Sequence, residues 1–98
     1  MARLIAYNVA HLQGQGLVPN REASISKVFG SETVQRVSNT CMDILGLYGA
    51  LGRDDRWAPL AARIQERWML SFSDTIAAGT SEIQRNVIAS RGLGLPRG

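Results

Sequence analysis

The chain has few of the residues that build covalent or metal-based sites. Its 98 residues include one cysteine and one histidine. Cys41 has no second cysteine with which to form an intrachain disulfide or a cysteine-based metal site. A nucleophilic pair of Cys41 with His11 needs an activating geometry that no motif in the sequence supports. We therefore expect a small buried thiol and an ordinary helix histidine.

Long apolar runs are also absent. No stretch approaches the roughly 20 consecutive apolar residues of a membrane-spanning helix. Residues 1–5 lack the longer apolar region and the small-residue cleavage site of a secretory signal peptide. These features predict a cytoplasmic protein that does not enter a membrane.

Lysine is nearly absent, because Lys27 is the only one, and arginine therefore supplies almost all of the positive charge. The formal net charge is +3. The arginines are scattered along the chain and alternate with acidic residues instead of forming one stripe. This pattern predicts solvated helix faces with a few ion pairs, and it disfavours a nucleic-acid-binding surface.

Aromatic residues make up only 6% of the chain, and no strand-like alternation is strong enough to build a sheet. Apolar residues instead recur at helical spacing, with glycine and proline between the runs. We predict an all-α fold, an up-down bundle of about four helices in one domain spanning residues 1–98. The predicted helices cover residues 3–13, 20–45, 60–71 and 81–91.

Several finer expectations follow from this pattern. Asn20 is predicted to cap the second helix. Gly30 inside that helix is expected to allow close packing of a neighbouring backbone. Trp57 and Trp68 are both predicted to pack in the core, although a role at an interface or in a substrate site is the alternative for Trp57. The first helix begins so abruptly that we expect it to be half of a longer one. A domain this small buries only about 60–65% of its unfolded surface, so its stability alone is marginal and a partner is expected.

The start of the last predicted helix carries the strongest local signal. Ser81 followed three residues later by Gln84 fits a capping box, in which each side chain satisfies an unpaired amide. Glu82 lies in the first turn, where its charge complements the helix dipole, and Gly79 permits a tight turn. The structural interpretation is a helix cap. The functional alternative is a phosphate or ribose site at the helix start.

Four strings of the sequence resemble one known family in the right order. Residues 79–89 read Gly-Thr-Ser-Glu-Ile-Gln-Arg-Asn-Val-Ile-Ala, and residues 23–29 contain an Ala-Ser-x-x-Lys run. Residues 43–49 are similar to a Gln-x-x-Gly-Gly-x-Gly loop, and residues 91–97 are similar to the tail of one family branch. Together these strings resemble the C-terminal helical domain of the acyl-CoA dehydrogenases.

This resemblance implies a flavin enzyme with FAD as cofactor. In that family a carboxylate removes a proton next to the thioester of an acyl-CoA, the flavin accepts hydride, and an electron-transferring flavoprotein takes the electrons. The helical C-terminal domain supplies part of the FAD site and most of the contacts of the oligomer. By resemblance, the adenosine-diphosphate half of FAD is faced by Thr80, Ser81 and Glu82. The FAD of an adjacent subunit is approached by Gly46 and Gly49, together with Asp43.

Three positions depart from the family pattern. Many members carry the catalytic glutamate directly before the Gly-Thr pair, where this chain has Ala78, and a methyl group accepts no proton. Asp43 replaces a glutamine, and Leu47 replaces a glycine. Family members are also several hundred residues long. We therefore expect that this chain alone does not catalyse dehydrogenation. It is interpreted as the C-terminal part of a dehydrogenase, or alternatively as a non-catalytic helical subunit that completes the homo- or hetero-oligomer or the FAD site of a full-length dehydrogenase.

Overall fold

The computed structural model describes residues 1–96, so Arg97, in the last of the four strings, lies outside the described residues. Over this range the fold is all-α and contains no strand. No helix in the described range is long and apolar enough to cross a membrane. The expected cytoplasmic location stays a prediction. The α-helices are α1 (Ala2–Gly14), α2 (Asn20–Leu45), α3 (Arg63–Asp74) and α4 (Ser81–Val87).

Three short turns complete the secondary structure: the 3-10 helix Gly46–Ala50, the turn Pro59–Ala62, whose last three residues are left-handed, and the π-helical turn Ile88–Gly92. The residues form two compact units. The first unit comprises residues 1–30 and 76–96, and the second comprises Ser31–Thr75. Helix α2 contributes its first part to one unit and its remainder to the other.

The first two helices agree with the prediction to within one residue at each end. The Leu17 amide donates to the Leu12 carbonyl, and Gly16 takes a φ of +76°, so α1 ends in a tight left-handed turn. The prediction that Asn20 caps α2 is wrong. Asn20 is the first helical residue, and the carbonyl of Pro19 accepts the first helical bond, from the Ala23 amide.

Helix α3 begins three residues later than predicted. Leu60, Ala61 and Ala62 have φ values of +52°, +52° and +59°, which lie in the left-handed region. A right-handed α-helix cannot include residues in that conformation. The helix therefore starts at Arg63, and it continues beyond the predicted end to Asp74.

Helix α4 is shorter than predicted, because it changes to the π-helical turn after Val87. The predicted continuation to Arg91 is helical, but it is π rather than α in type. The amide of Leu93 bonds to the carbonyls of Ile88 and Ala89, which closes this wider turn.

Very little apolar surface is buried within the chain. Among residues 1–96, Ala62 is the only hydrophobic residue that is buried, whereas four serines are buried. Each α-helix leaves large apolar side chains exposed, and Leu47 in the turn after α2 is 92% exposed. The chain by itself therefore lacks the core that normally stabilises a helical domain. The buried serines are Ser24, Ser38, Ser71 and Ser81.

Three expectations about packing need correction. Trp57 is 64% exposed rather than core, because it follows a charged loop and its ring lies 4.9 Å from the guanidinium carbon of Arg56. A Cβ added to Gly30 meets nothing within 4 Å, so no neighbouring backbone of this chain explains that glycine. Cys41 is only half-buried. Trp68 is half-buried, and its indole forms a hydrogen bond with Asn39.

Candidate functional site

The candidate site is the turn that leads into α4. Ala78 and Gly79 both take left-handed conformations, with φ values of +54° and +93°. Thr80 is then extended, with φ −60° and ψ 161°. Gly79 tolerates its conformation because it has no Cβ, whereas Ala78 is held in a conformation that disfavours residues other than glycine. The surrounding contacts must therefore stabilise this turn.

The residue that caps α4 is Thr80, not Ser81. The hydroxyl of Thr80 accepts a 3.3 Å hydrogen bond from the Ile83 amide. The Thr80 carbonyl accepts a 2.9 Å bond from the Gln84 amide. Ser81 is the first residue of the helix, and its buried hydroxyl has no hydrogen-bond partner among the described residues. The cap is thus one residue earlier than predicted, because threonine and serine both suit a cap and only the backbone angles distinguish them. The predicted capping box does not form, because the third residue after Thr80 is Ile83, which has no polar side chain to return to the cap.

The Gln84 side chain does not return to the cap as predicted. Its Nε2 atom donates a 3.0 Å hydrogen bond to the carbonyl of Ala78. A Cβ added to Gly79 would lie 2.7 Å from the same Nε2 atom. The amide of Gln84 therefore occupies the space that a side chain at position 79 would need.

The carboxylate of Glu82 lies beside the cap and is exposed. Its pKa is lowered mainly by a hydrogen bond from its own backbone amide, and further by a hydrogen bond from the Thr80 hydroxyl. The positive charges of Arg85 and Lys27 lower the pKa of Glu82 in the same direction. The carboxylate is therefore ionised at neutral pH. The sequence did not predict a part for Lys27 here, although the Ala-Ser-x-x-Lys run had drawn attention to it.

The other predicted site residues lie in the second unit. Gly46 takes a φ of +56°, is exposed, and would meet nothing with an added Cβ. Gly49 is buried, and an added Cβ would lie 3.1 Å from Cβ of Leu45 and 3.3 Å from Cε of Met42. The chain's own packing therefore accounts for Gly49, whereas Gly46 leaves an open backbone surface. Asp43, three residues before Gly46, is also exposed.

The structure thus places three predicted residues, Thr80, Ser81 and Glu82, side by side in one unit, and Gly46 with Gly49 in the other unit. An ionised carboxylate repels a pyrophosphate, but it accepts hydrogen bonds well from ribose hydroxyls. The carboxylate acceptor at the α4 turn therefore suits the hydroxyl groups of a ribose better than a pyrophosphate. Within the described residues, no group of three His, Cys, Asp or Glu side chains is arranged to hold a metal ion.

Comparisons with known proteins agree with this description. The model of the acyl-CoA dehydrogenase C-terminal domain matches residues 1–93. The acyl-CoA dehydrogenase IpdE1 of Mycobacterium tuberculosis is 32% identical over 95 residues, covering 94% of this chain and 23% of the relative. A 3-(aryl)acrylate reductase of Clostridium sporogenes is 33% identical over 89 residues, covering 91% of this chain and 22% of the relative.

Solved structures show the same likeness in three dimensions. The ChsE4-ChsE5 complex of Mycobacterium tuberculosis matches with a TM-score of 0.87 and 31% identity, over 99% of this chain and 25% of that one. The steroid acyl-CoA dehydrogenase Tcur3481-Tcur3483 matches with a TM-score of 0.90 and 28% identity, over 99% of this chain and 25% of that one. These matches define a helical dehydrogenase domain.

The chain belongs to the acyl-CoA dehydrogenase family and corresponds to its C-terminal domain. The predicted family and the all-α fold class are confirmed. The chain spans about a quarter of the length of the relatives that it matches.

Proposed function

We propose that this chain serves as the C-terminal helical part of a flavin-dependent acyl-CoA dehydrogenase, which desaturates an acyl-CoA thioester between its α and β carbons. The observation that carries this proposal is the match of residues 1–93 to the family's C-terminal domain. When bound, FAD supplies the hydride acceptor for such a reaction. Acyl-CoA and an electron-transferring flavoprotein are then partners of the complete enzyme.

Within that enzyme, the α4 turn contributes to the binding of the adenosine half of FAD. The ionised carboxylate of Glu82 accepts hydrogen bonds from ribose hydroxyls, and the hydroxyl of Thr80 holds this carboxylate in place. Ser81 lies next to them at the first position of α4. Gly46 provides an open backbone surface for the FAD of an adjacent subunit, and Gly49 supports that turn by close packing.

The chain does not supply the catalytic base at the family position before the Gly-Thr pair. Ala78 has only a methyl group there, and a methyl group cannot take up the α-proton of the thioester. The base must come from another part of the enzyme or from another subunit. For this reason, we expect the purified chain to show no turnover of acyl-CoA substrates with an artificial electron acceptor. Turnover by the chain alone would contradict this part of the proposal.

The proposed FAD contact is tested in the assembled enzyme, in which this chain is produced together with the polypeptide that carries the remaining domains. We expect a visible flavin spectrum in the purified complex and a lower flavin content in Glu82→Gln. Asp54→Asn is the matched control, because it removes an exposed carboxylate from the second unit. Equal flavin content in wild type and Glu82→Gln would rule out the ribose contact.

A second candidate is a non-catalytic helical subunit that completes the oligomer or the FAD site of a full-length dehydrogenase. Its support is the exposed apolar surface, including a groove of about 560 Å³ in the first unit that is lined by Leu4, Ile5, Ile25 and other side chains. Exposed apolar patches of this kind commonly mark interfaces. The solved ChsE4-ChsE5 structure, to which this chain is similar, is itself a complex of two different chains.

Light scattering after size-exclusion chromatography distinguishes the two candidates. As a subunit, the chain forms a complex of fixed stoichiometry when it is mixed with a separately purified full-length dehydrogenase from the same cells. As a part of one enzyme, it binds the polypeptide that carries the remaining domains and not a complete dehydrogenase. A monodisperse monomer under both conditions would contradict both candidates.

A further inference from the structure

The side chain of Gln84 closes the turn before α4 by contacting the backbone of Ala78 and Gly79. Gln84 donates through Nε2 to the Ala78 carbonyl at 3.0 Å, and the same atom lies 2.7 Å from the place of a Cβ on Gly79. The hydrogen bond from Gln84 therefore requires that position 79 has no side chain, because the Gln84 amide occupies that space. The predicted capping box explains neither the glycine at position 79 nor the hydrogen bond from Gln84.

We propose that Gln84 is a positioning residue, whose side-chain amide holds the main chain of residues 78–80 for the dehydrogenase. Ala78 has a left-handed conformation that its own side chain disfavours, so the turn needs an external restraint. The bond from Gln84 supplies this restraint by fixing the Ala78 carbonyl. It thereby fixes both the direction in which the side chain at position 78 leaves the chain and the entry of Thr80 into its capping position.

The functional part of this inference rests on the proposed function, because the turn then presents Thr80 and Glu82 to FAD. The bond uses the backbone carbonyl of residue 78 and not its side chain. It therefore forms independently of which side chain position 78 carries.

The contact is tested by hydrogen exchange of the amides of residues 83 and 84, which donate to the hydroxyl and the carbonyl of Thr80 and are therefore protected only while the turn is in place. Gln84→Leu removes the donor while keeping a similar side-chain size, and we expect exchange at these amides to accelerate about fivefold. The matched control is Gln65→Leu, because Gln65 donates a similar 3.0 Å bond to the carbonyl of Ala50 in the second unit. This control should leave the exchange of the amides of residues 83 and 84 unchanged.

Gln84→Glu adds a readout that a merely space-filling residue would not give. A protonated carboxyl can donate to the Ala78 carbonyl, whereas a carboxylate cannot. We expect wild-type exchange below pH ~4 and exchange like that of Gln84→Leu at neutral pH, after correction for intrinsic rates. The neighbouring charges are those of Glu82, Arg85 and Lys27, and the wild-type profile accounts for their contribution.

The proposal is overturned if Gln84→Leu leaves the exchange unchanged, if Gln65→Leu accelerates exchange at residues 83 and 84 equally, or if Gln84→Glu shows no dependence on pH. Flavin content of the co-produced complex tests the functional part, and we expect it to be lower in Gln84→Leu. Altered exchange with unchanged flavin content would overturn that part. Absence of flavin from the wild-type complex would instead refute the proposed function, and the exchange experiment would still decide on the contact.

Discussion

The indole Nε1 of Trp68 donates a 2.6 Å hydrogen bond to Oδ1 of Asn39, which lies 29 residues earlier in the sequence. The ring of Trp68 also meets that of Phe72 edge to face, with 5.1 Å between the centroids. The hydrogen bond attaches α3 to α2 within the second unit, and the ring contact with Phe72, a residue of the same helix, holds the indole in place. They are important because few apolar side chains are buried there.

We expect Trp68→Phe to lower the free energy of unfolding by about 1–2 kcal/mol, because it removes the hydrogen bond and leaves the Asn39 carbonyl without this donor. Urea denaturation followed by far-ultraviolet circular dichroism measures the change without depending on tryptophan fluorescence. Trp57→Phe is the control, since that ring is exposed and its loss should change stability by less than ~0.5 kcal/mol. Equal losses in the two variants would contradict the assignment.

Thr80 and Ser81 should respond oppositely to substitution by alanine. Thr80→Ala removes the cap of α4 and should destabilise the chain by about 1 kcal/mol, whereas Thr80→Ser should retain most of the stability. Ser81→Ala removes a buried hydroxyl that has no hydrogen-bond partner in residues 1–96, so we expect a neutral or stabilising effect. Thermal denaturation of the three variants decides the matter. A larger loss in Ser81→Ala than in Thr80→Ala would restore Ser81 as the cap.

Gly79→Ala should destabilise the chain more than Gly16→Ala. Both glycines have positive φ, so alanine is strained at either position. Only at Gly79 does the new Cβ also collide with the Gln84 amide, because an added Cβ at Gly16 meets nothing within 4 Å. We expect losses of about 1 kcal/mol for Gly16→Ala and about 2 kcal/mol or more for Gly79→Ala, measured by urea denaturation. Equal losses would mean that the Gln84 side chain moves aside freely.

The ion pair of Arg53 with Glu66 should be visible in the titration of the carboxyl group. Hydrogen bonds from Arg53, at 2.8 and 2.6 Å, are the main cause of the lowered pKa of Glu66. A carboxyl whose folded pKa is depressed contributes stability above its unfolded pKa and loses it as pH falls through the folded pKa. The stabilisation by Glu66 should therefore be complete at neutral pH and disappear in acid.

In Arg53→Gln, we expect the pKa of Glu66 to rise towards its ordinary value, as measured by carbon-detected NMR of the side-chain carboxyl. Arg67→Gln is the control, because Arg67 pairs with Asp74 instead. A pKa of Glu66 that does not change in Arg53→Gln would show that the pair does not form in solution. Because both side chains are exposed, added salt should weaken this effect.

The sequence predicted some elements well because the information for them is local. The ends of α1 and α2 follow from apolar residues at helical spacing and from the glycines and the proline between them. The start of α3 was not predicted, because the sequence Leu60–Ala61–Ala62 is typical of a helix while the backbone there is left-handed. Pro59 indicates a turn, but not how far the turn extends.

The candidate site shows the same division. Its motif identified the family and marked residues 79–85 as the important segment, because the residue types and their order are sufficient for that. Either serine or threonine can cap a helix, and only the backbone angles decide that Thr80 is the cap of α4. In the same way, only the distances in the folded chain show that Gln84 bonds to the Ala78 carbonyl. The exposure of Trp57 likewise depends on what surrounds it.

By itself, the sequence determined the helical class of this protein, the ends of its first two helices to within one residue and its membership of the acyl-CoA dehydrogenase family. Periodicity and motif order are properties of neighbouring residues and need no fold. Only the tertiary structure decided which hydroxyl caps α4, why position 79 requires glycine, and how little apolar surface the chain buries. Those properties depend on which atoms are in contact in the folded chain, and the spacing of residues along the sequence does not specify these contacts.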